Sequence, residues 1–529
     1  MRLLCLAFCL VAGVASAAET PIPEQIDAAI VAKMKAEEVT AAPQADDRTL
    51  IRRTTLDLVG RTPTTQEVEA FVQSTDADKR AKLVDRLLAS PAFARYQAYL
   101  FEAALNESGN GKGNGLRDYL TTALQENRPW DAIFRELLLP DETKRKGSSE
   151  FLRPKLADAD RLTTEVAVAF FGVNVSCAQC HDHPQVKDWT QDRFYGMKSF
   201  LARTFDAGGT VAERSAGLVK FKPTKGPERQ AKLMFLTGAV VESDTVRELT
   251  KDEQKKEKEL ADKAKKDKKP LPAPPFSARA KLVEVALEPK NADFFARNIV
   301  NRLWHRFLGY GLVNPLDQLH AENRPSHPAL LDALAKDTIA HQYDLKRLTR
   351  GIVLSRAYSR SSRYDSESFP LESTFALMQL KPLTPMQLAT ALKLANTDPK
   401  TFDGLKPADA EKKLEQIEAQ ARGFASMIAV PTDNFQIGVS EALLFSNGDR
   451  VQRDFLSDGG GTLLGRLKTE KDATAAAKLM IETVFGRPAA DGEAKAFAEF
   501  AGRRADRQSD TYRNMLWALV TSAEFRFNH

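Results

Sequence analysis

Cysteine is scarce in this chain: four in 529 residues, at positions 5, 9, 177 and 180. So few thiols exclude a disulfide-framed scaffold, which holds a small core together with many cross-links. Aromatic residues make up only 8% of the sequence and the formal net charge is +5. A nucleic-acid footprint would show a basic stripe interleaved with aromatics, so nucleic acid is not an expected partner. The one dense run of charge, Lys251 to Lys269, sets nine lysines against six acidic residues and reads as a solvated segment. No long apolar run follows the first residues, so no stable membrane span is expected downstream.

What is present begins with "MRLLCLAFCLVAGVASAAET". Arg2, an apolar run and the small residues Ala15-Ser16-Ala17 form a cleavable signal peptide over residues 1–17. A retained anchor would need a longer run, and Phe8 before Cys9 is too bulky for a lipid-modification site. The mature protein is expected to be exported, to the periplasm or beyond. Cleavage removes Cys5 and Cys9 and leaves Cys177 and Cys180 as the whole thiol inventory in an oxidising compartment.

The periodicity predicts a mainly α protein: two helical domains, a small β-rich insert, and a charged, proline-rich linker between them. The first domain covers residues 18–205. In it Leu83, Val84, Leu87 and Leu88 recur at helical steps, Pro91 opens the next helix, and Thr64 with Glu67 forms a capping box. "NESGNGKGNG" (106–115) is too rich in glycine for a helix and is read as a surface loop. It lacks the Lys-Ser/Thr of a phosphate cradle. Residues 206–249 carry β-branched and alternating stretches, and 250–275 form the linker. The second helical domain covers 276–529. One stripe there carries Phe295, Ile299, Leu303 and Phe307, and another carries Val300, Trp304 and Leu308, with Gly309 and Gly311 as the stop. Ser326 is the expected N-cap of the next helix, a break falls near Tyr343, and Met515, Leu516, Leu519 and Val520 face inward in the last long helix.

The stretch "CAQCHDHPQ" (177–185) concentrates the chemistry. Cys-x-x-Cys-His is the attachment pattern of haem c: two thiols one turn apart add across the haem vinyl groups, and the next imidazole becomes the proximal iron ligand. On this reading Cys177, Cys180 and His181 bind the cofactor. Three alternatives stay open. Cys177, Cys180, His181 and His183 suit a non-haem zinc, copper or iron ion. Cys177 and Cys180 can instead form a disulfide with no cofactor, or the segment can be an inert packed turn. For haem, His183 is too close to His181 to reach the opposite face of the ring, so the distal candidates are Met197, His305, His320 and His327, and an unfilled sixth position that admits a substrate or small ligand stays open. Nothing else rises to a site. Ser326-His327 with Asp332 lacks a nucleophile elbow, "DGGGT" (458–462) lacks the residues of a P-loop, and no acid/base carboxylate pair stands out.

"TTEVAVAFFGVNVSCAQCHDHPQVKDWTQDRFYGMKSFLA" resembles the planctomycete-type secreted cytochrome-like domain of unknown function, whose hallmark is C-A-Q-C-H-x-H-P followed by W-T-Q-x-x-[FY]-Y-G. "DDRTLIRRTTLDLVGRTPT" is similar to that family's R-R-x-x-L-D-L-x-G-x-x-P-T signature. "NADFFARNIVNRLWHRFLGYGLVNPLDQL", "RPSHPALLDAL", "LKRLTRGIVLSRAYSRSS" and the ending "LWALVTSAEFRFNH" resemble the companion secreted domain found C-terminal to it. The matching residues are Cys177, Cys180, His181, His183, Pro184, Trp189, Tyr195 and Gly196, then Asn301, Arg302, Trp304, Gly309, Gly311, His327, Pro328 and Arg356. Many relatives carry a further N-terminal cytochrome c-like module, which is not expected here. The resemblance implies a haem-like motif but no defined reaction. The leading expectation is an exported protein with one haem c, acting in periplasmic redox chemistry or electron transfer with an unidentified redox partner. A metal protein or enzyme and a disulfide-stapled envelope scaffold are the alternatives.

Overall fold

A computed structural model describes residues 20–106, 115–267, 269–431 and 438–529. The expected signal peptide and most of the glycine-rich loop lie outside the described residues. The fold is mainly α, with its strands confined to two-stranded antiparallel ladders. Among the described residues no helix is long and apolar enough to cross a membrane.

Local sequence explains the helix limits. Thr64 and Glu67 close the capping box of helix Thr65–Gln73, satisfying backbone donors reciprocally. Helix Lys79–Ala89 buries Leu83, Val84, Leu87 and Leu88, and Pro91 begins Pro91–Leu105 behind the Ser90 cap. Helix Ala292–Leu308 buries both of its apolar stripes and ends at Gly309, whose φ of 82° is left-handed. One cap differs from expectation. Helix Pro328–Ala340 has His327 at its N-cap position, and the Ser326 hydroxyl instead meets His327 Nδ1 at 3.1 Å. Pro328 needs no acceptor at the first turn because it has no N–H.

The β-rich insert forms three short ladders, pairing Thr204–Asp206 with Val211–Glu213, Lys220–Phe221 with Arg229–Gln230, and Leu233–Met234 with Val240–Val241. The charged run is helix Lys251–Asp267, in which only Ala264 is buried; a helix polar nearly all round remains solvated. Extended chain with Pro270, Pro272, Pro274 and Pro275 follows it.

The largest apolar cluster draws on both halves of the chain, from Ile22 to Met378. Trp130, Phe134, Phe170 and Phe295 pack in it with ring centroids 4.7 to 6.5 Å apart. A second cluster joins Leu56 to residues between Leu383 and Phe525, including Met515, Leu516, Leu519 and Val520. Each fully buried side chain of this size contributes about 1.5–3 kcal/mol. The first cluster fixes the helices Ala159–Phe171 and Gln191–Leu201, between which the cysteine turn is suspended.

Candidate functional site

The turn begins where helix Ala159–Phe171 stops. Gly172 takes a φ of 66°, and an added Cβ would lie 2.8 Å from Asn298 Oδ1. The end carbonyls of that helix are taken by side chains from the second half of the chain. Asn298 Nδ2 donates to Ala169 O at 2.8 Å and Arg302 Nη2 to Val168 O at 2.7 Å, a cationic cap at the negative end of the helix dipole. Residues 172–174 then run beside 317–319: Leu319 N donates to Gly172 O at 2.9 Å and Asn174 N to Asp317 O at 2.8 Å.

Ser176–Gln179 is a single 3-10 turn. Three residues per turn bring positions 177 and 180 to the same side, and both cysteines are exposed, free thiols. The disulfide alternative is therefore not formed in this structure. The turn is held by its carbonyls. Tyr195 Oη donates to Gln179 O at 3.1 Å, Gln191 Nε2 to the same oxygen at 3.3 Å, and Thr224 Oγ1 to Cys180 O at 3.2 Å. Gln191 Oε1 accepts from Thr224 N at 3.0 Å, and Asp182 Oδ1 accepts from Gln191 N at 2.8 Å. Tyr195 stacks on Phe221 with centroids 4.3 Å apart. Burial, with Asp160 and Cys180 nearby, raises its pKa, so the phenol stays a donor. Gly196 admits Met234, whose Cβ would stand 2.6 Å from a Cβ added there.

The two histidines of the motif have opposite roles. His181 is exposed, and its Nδ1 lies 2.9 Å from Asp182 O. A carbonyl only accepts, so Nδ1 carries the proton, and in the neutral tautomer the lone pair stands on Nε2. A ring-to-carbonyl hydrogen bond of this kind orients metal-binding imidazoles. His183 Nδ1 accepts from the backbone N–H of Val186 at 3.0 Å and of Gln185 at 3.3 Å. Its neutral ring must therefore carry the proton on Nε2, which leaves no lone pair for a metal. Among the described residues no three His, Cys, Asp or Glu side chains gather to hold an ion. The four-residue non-haem set is thus not assembled, because His183 is spent on closing the 183–189 loop.

The distal candidates are dispersed. Met197 is fully buried in the main core, and His305 sits in the last turn of Ala292–Leu308. His327 packs on Phe375 at 5.5 Å; burial first, then Lys33, pushes its pKa down to about 4. His320 is the one linked to the turn. Trp189 meets both its ring and that of His183, with centroids 4.7 and 5.3 Å away, both edge-on. Burial, then the proximity of His183, lowers the pKa of His320, and its Nδ1 is buried without a partner. This wedge of two imidazoles on one indole was not visible in the sequence, since His320 is remote from the motif.

For haem the fit is different from that for a bare ion. Attachment needs two accessible thiols side by side and one imidazole with a free nitrogen, and does not need all three to converge on a point. Cys177, Cys180 and the unprotonated Nε2 of His181 meet that requirement.

Two family models match the chain: PSCyt2, protein of unknown function (DUF1549), over residues 25–206, and PSD1, protein of unknown function (DUF1553), over residues 278–422. The two matches follow one another along the chain in that order, each on one of the two helical segments. No curated protein and no solved structure matches it. The hallmark residues of the PSCyt2 segment divide between exposed chemistry and scaffold, with Gln191, Tyr195 and Gly196 on the scaffold side. In the PSD1 segment Asn301 clamps Val313 from both sides, donating to its carbonyl at 2.8 Å and accepting from its N–H at 2.9 Å. An added Cβ on Gly311 would lie 2.3 Å from the same carbonyl.

The largest surprise is the R-R-x-x-L-D-L stretch. Arg53 donates to Tyr358 O, Arg360 O and His529 O at 2.5, 2.9 and 3.1 Å. Asp57 receives Lys381 Nζ at 2.8 and 2.9 Å, Tyr358 Oη at 2.9 Å and Asn528 Nδ2 at 2.8 Å. These residues fasten the first helical segment to the end of the chain.

Proposed function

We propose that residues 177–181 of the PSCyt2 segment are the attachment site of one c-type haem, and that the exported protein works in redox chemistry or electron transfer outside the cytoplasm. The observation that carries this reading is the pairing of two exposed thiols on one side of a 3-10 turn with an imidazole whose Nε2 is unblocked. Cys177 and Cys180 would hold the group through thioether bonds, and His181 would be the proximal ligand. Such a group supplies a one-electron couple. Tyr195, Gln191 and Thr224 fix the turn carbonyls, and the Asp182 carbonyl holds the His181 ring in the tautomer that binding requires. His183 and Trp189 close the following loop.

The test is expression of the full chain in a host that exports it and attaches haem c. The purified protein should keep a Soret absorption through denaturation and acid extraction. Cys177→Ser with Cys180→Ser should abolish the bound colour, while His183→Ala should leave the thioether bonds in place. A colourless product in which both cysteines have lost hydrogen to a mutual disulfide would overturn the proposal.

A further inference from the structure

A cavity of about 490 Å³ lies where helix Asp47–Val59 meets the end of the chain, and it is lined by Arg48, Arg52, Arg363 and Arg487 against Asp46 and Glu524. The charges are not matched. Arg487 is chelated by Glu493 at 2.7 and 2.8 Å and by Glu524 at 2.6 and 2.8 Å, a cluster that keeps one net negative charge; Glu524 offsets only part of the burial that pushes the Arg52 pKa down to about 10. Asp46 is occupied as the N-cap, accepting from Thr49 N at 2.8 Å.

The other three guanidinium groups have no Asp or Glu carboxylate within 4 Å among the described residues. Arg52 is 4% exposed, and it donates through Nη2 alone, to the carbonyls of Glu524, Phe525 and Phe527 at 3.4, 3.1 and 3.5 Å. Its Nε is buried without a partner. Arg48 has one bond, to Gly486 O at 2.9 Å, and the exposed Arg363 side chain has none. The His529 ring on the same cavity has its pKa pushed down to about 4, by burial first and then by Arg52, so it adds no positive charge at neutral pH. Carbonyl dipoles do not neutralise a buried cation, and an unpaired charge in such a place is strongly unfavourable unless something compensates it.

We propose that this cavity binds an oxyanion, a phosphate, sulfate or carboxylate group, between Arg52 at its floor and Arg48 and Arg363 at its rim. Guanidinium forks match the geometry of these groups in two-point contacts, and the volume suits a small molecule bearing one. The site is independent of the cysteine turn and stands whether or not haem is attached there.

Titration calorimetry on the full chain tests it, with inorganic phosphate, sulfate, citrate and glucose 6-phosphate as probes and chloride at matched ionic strength as control. Saturable one-to-one binding of at least one probe is expected, absent with chloride. Arg48→Gln and Arg363→Gln, both at partly or fully exposed positions, should each weaken it about tenfold. Asp46→Asn retains a good N-cap while removing a negative charge, and should tighten binding. Inorganic ions binding as well as citrate and the sugar phosphate would indicate a free anion; preference for the larger probes would indicate an anionic group on an organic molecule. Heats equal to those of chloride for every probe, or unchanged affinity in both arginine variants, would overturn the proposal and mean that Arg52 is satisfied within the chain.

Discussion

Removing Lys381 should release the far end of the chain. Its ammonium group makes two contacts to Asp57 at 2.8 and 2.9 Å, and two more to the carbonyls of Arg306 and Phe307 at 3.1 and 3.0 Å. Asp57 is 6% exposed and its remaining partners, Tyr358 and Asn528, are neutral. Lys381→Met therefore strands a buried carboxylate with two neutral donors, and Asp57→Asn strands a buried ammonium with two carbonyls. Breaking a buried pair by deleting one partner costs about 3–5 kcal/mol, and replacing both with neutral groups costs much less. The double variant should therefore be less destabilised than the sum of the singles, with a coupling of at least about 2 kcal/mol. Urea unfolding followed by tryptophan fluorescence measures the cycle. Because Lys381 pairs with Asn528 in the Lys381–Pro382 ladder, the single variants should also expose the last residues to carboxypeptidase. If each single change costs under about 1 kcal/mol, or the two effects simply add, the clasp is a surface-like contact and the reasoning fails.

Two further outcomes follow from particular residues. His327 has a folded pKa near 4, below the unfolded value, so the unfolded chain binds its proton first as the pH falls. Its contribution is complete above pH ~6.5 and drains away toward pH ~4, by at most about 3 kcal/mol. His327→Gln should flatten the stability profile in that window, and an unchanged profile would contradict the assignment. Gly60 has a φ of 73°, and an added Cβ would sit 2.3 Å from the ring of Tyr96, itself buried. Gly60→Ala combines left-handed strain with overpacking and should lose about 2–5 kcal/mol in thermal or urea unfolding; a loss under about 1 kcal/mol would show that Tyr96 can move aside.

The helices were legible because their signals are local. Capping at Thr64, the stripes of 292–308 and the stop at Gly309 each depend on residues within a few positions of one another. The cap before Pro328 misled because Ser326 has an intrinsic preference for that place, whereas the helix starts one residue later, at Pro328, whose fixed φ suits the first helical position and leaves His327 at the cap. The roles of Arg52, Arg53 and Asp57 were hidden for a different reason. On helix Asp47–Val59 they look like solvated charge, and only the chain folding back from residues 358, 381 and 528 buries them.

The same division between local and distant partners explains the candidate site. The motif itself and the exposure of its thiols are carried by nine consecutive residues. The separation of the two histidines is also local, since Asp182 and Val186 decide which nitrogen keeps its proton, yet a pattern of letters does not reveal which ring keeps its Nε2 free. His320 reaches the turn through Trp189 only because Asn174 and Asp317 pair their segments. If that pairing positions the second imidazole, Asp317→Ala, which spares the bond from Ser176 N to Asn174 Oδ1, should shift the His320 ring resonances in a proton–nitrogen spectrum and leave those of His181 unmoved. Equal shifts in both would show that the turn and the wedge move as one body, and that the PSD1 segment supports the cysteine turn itself rather than only its neighbour.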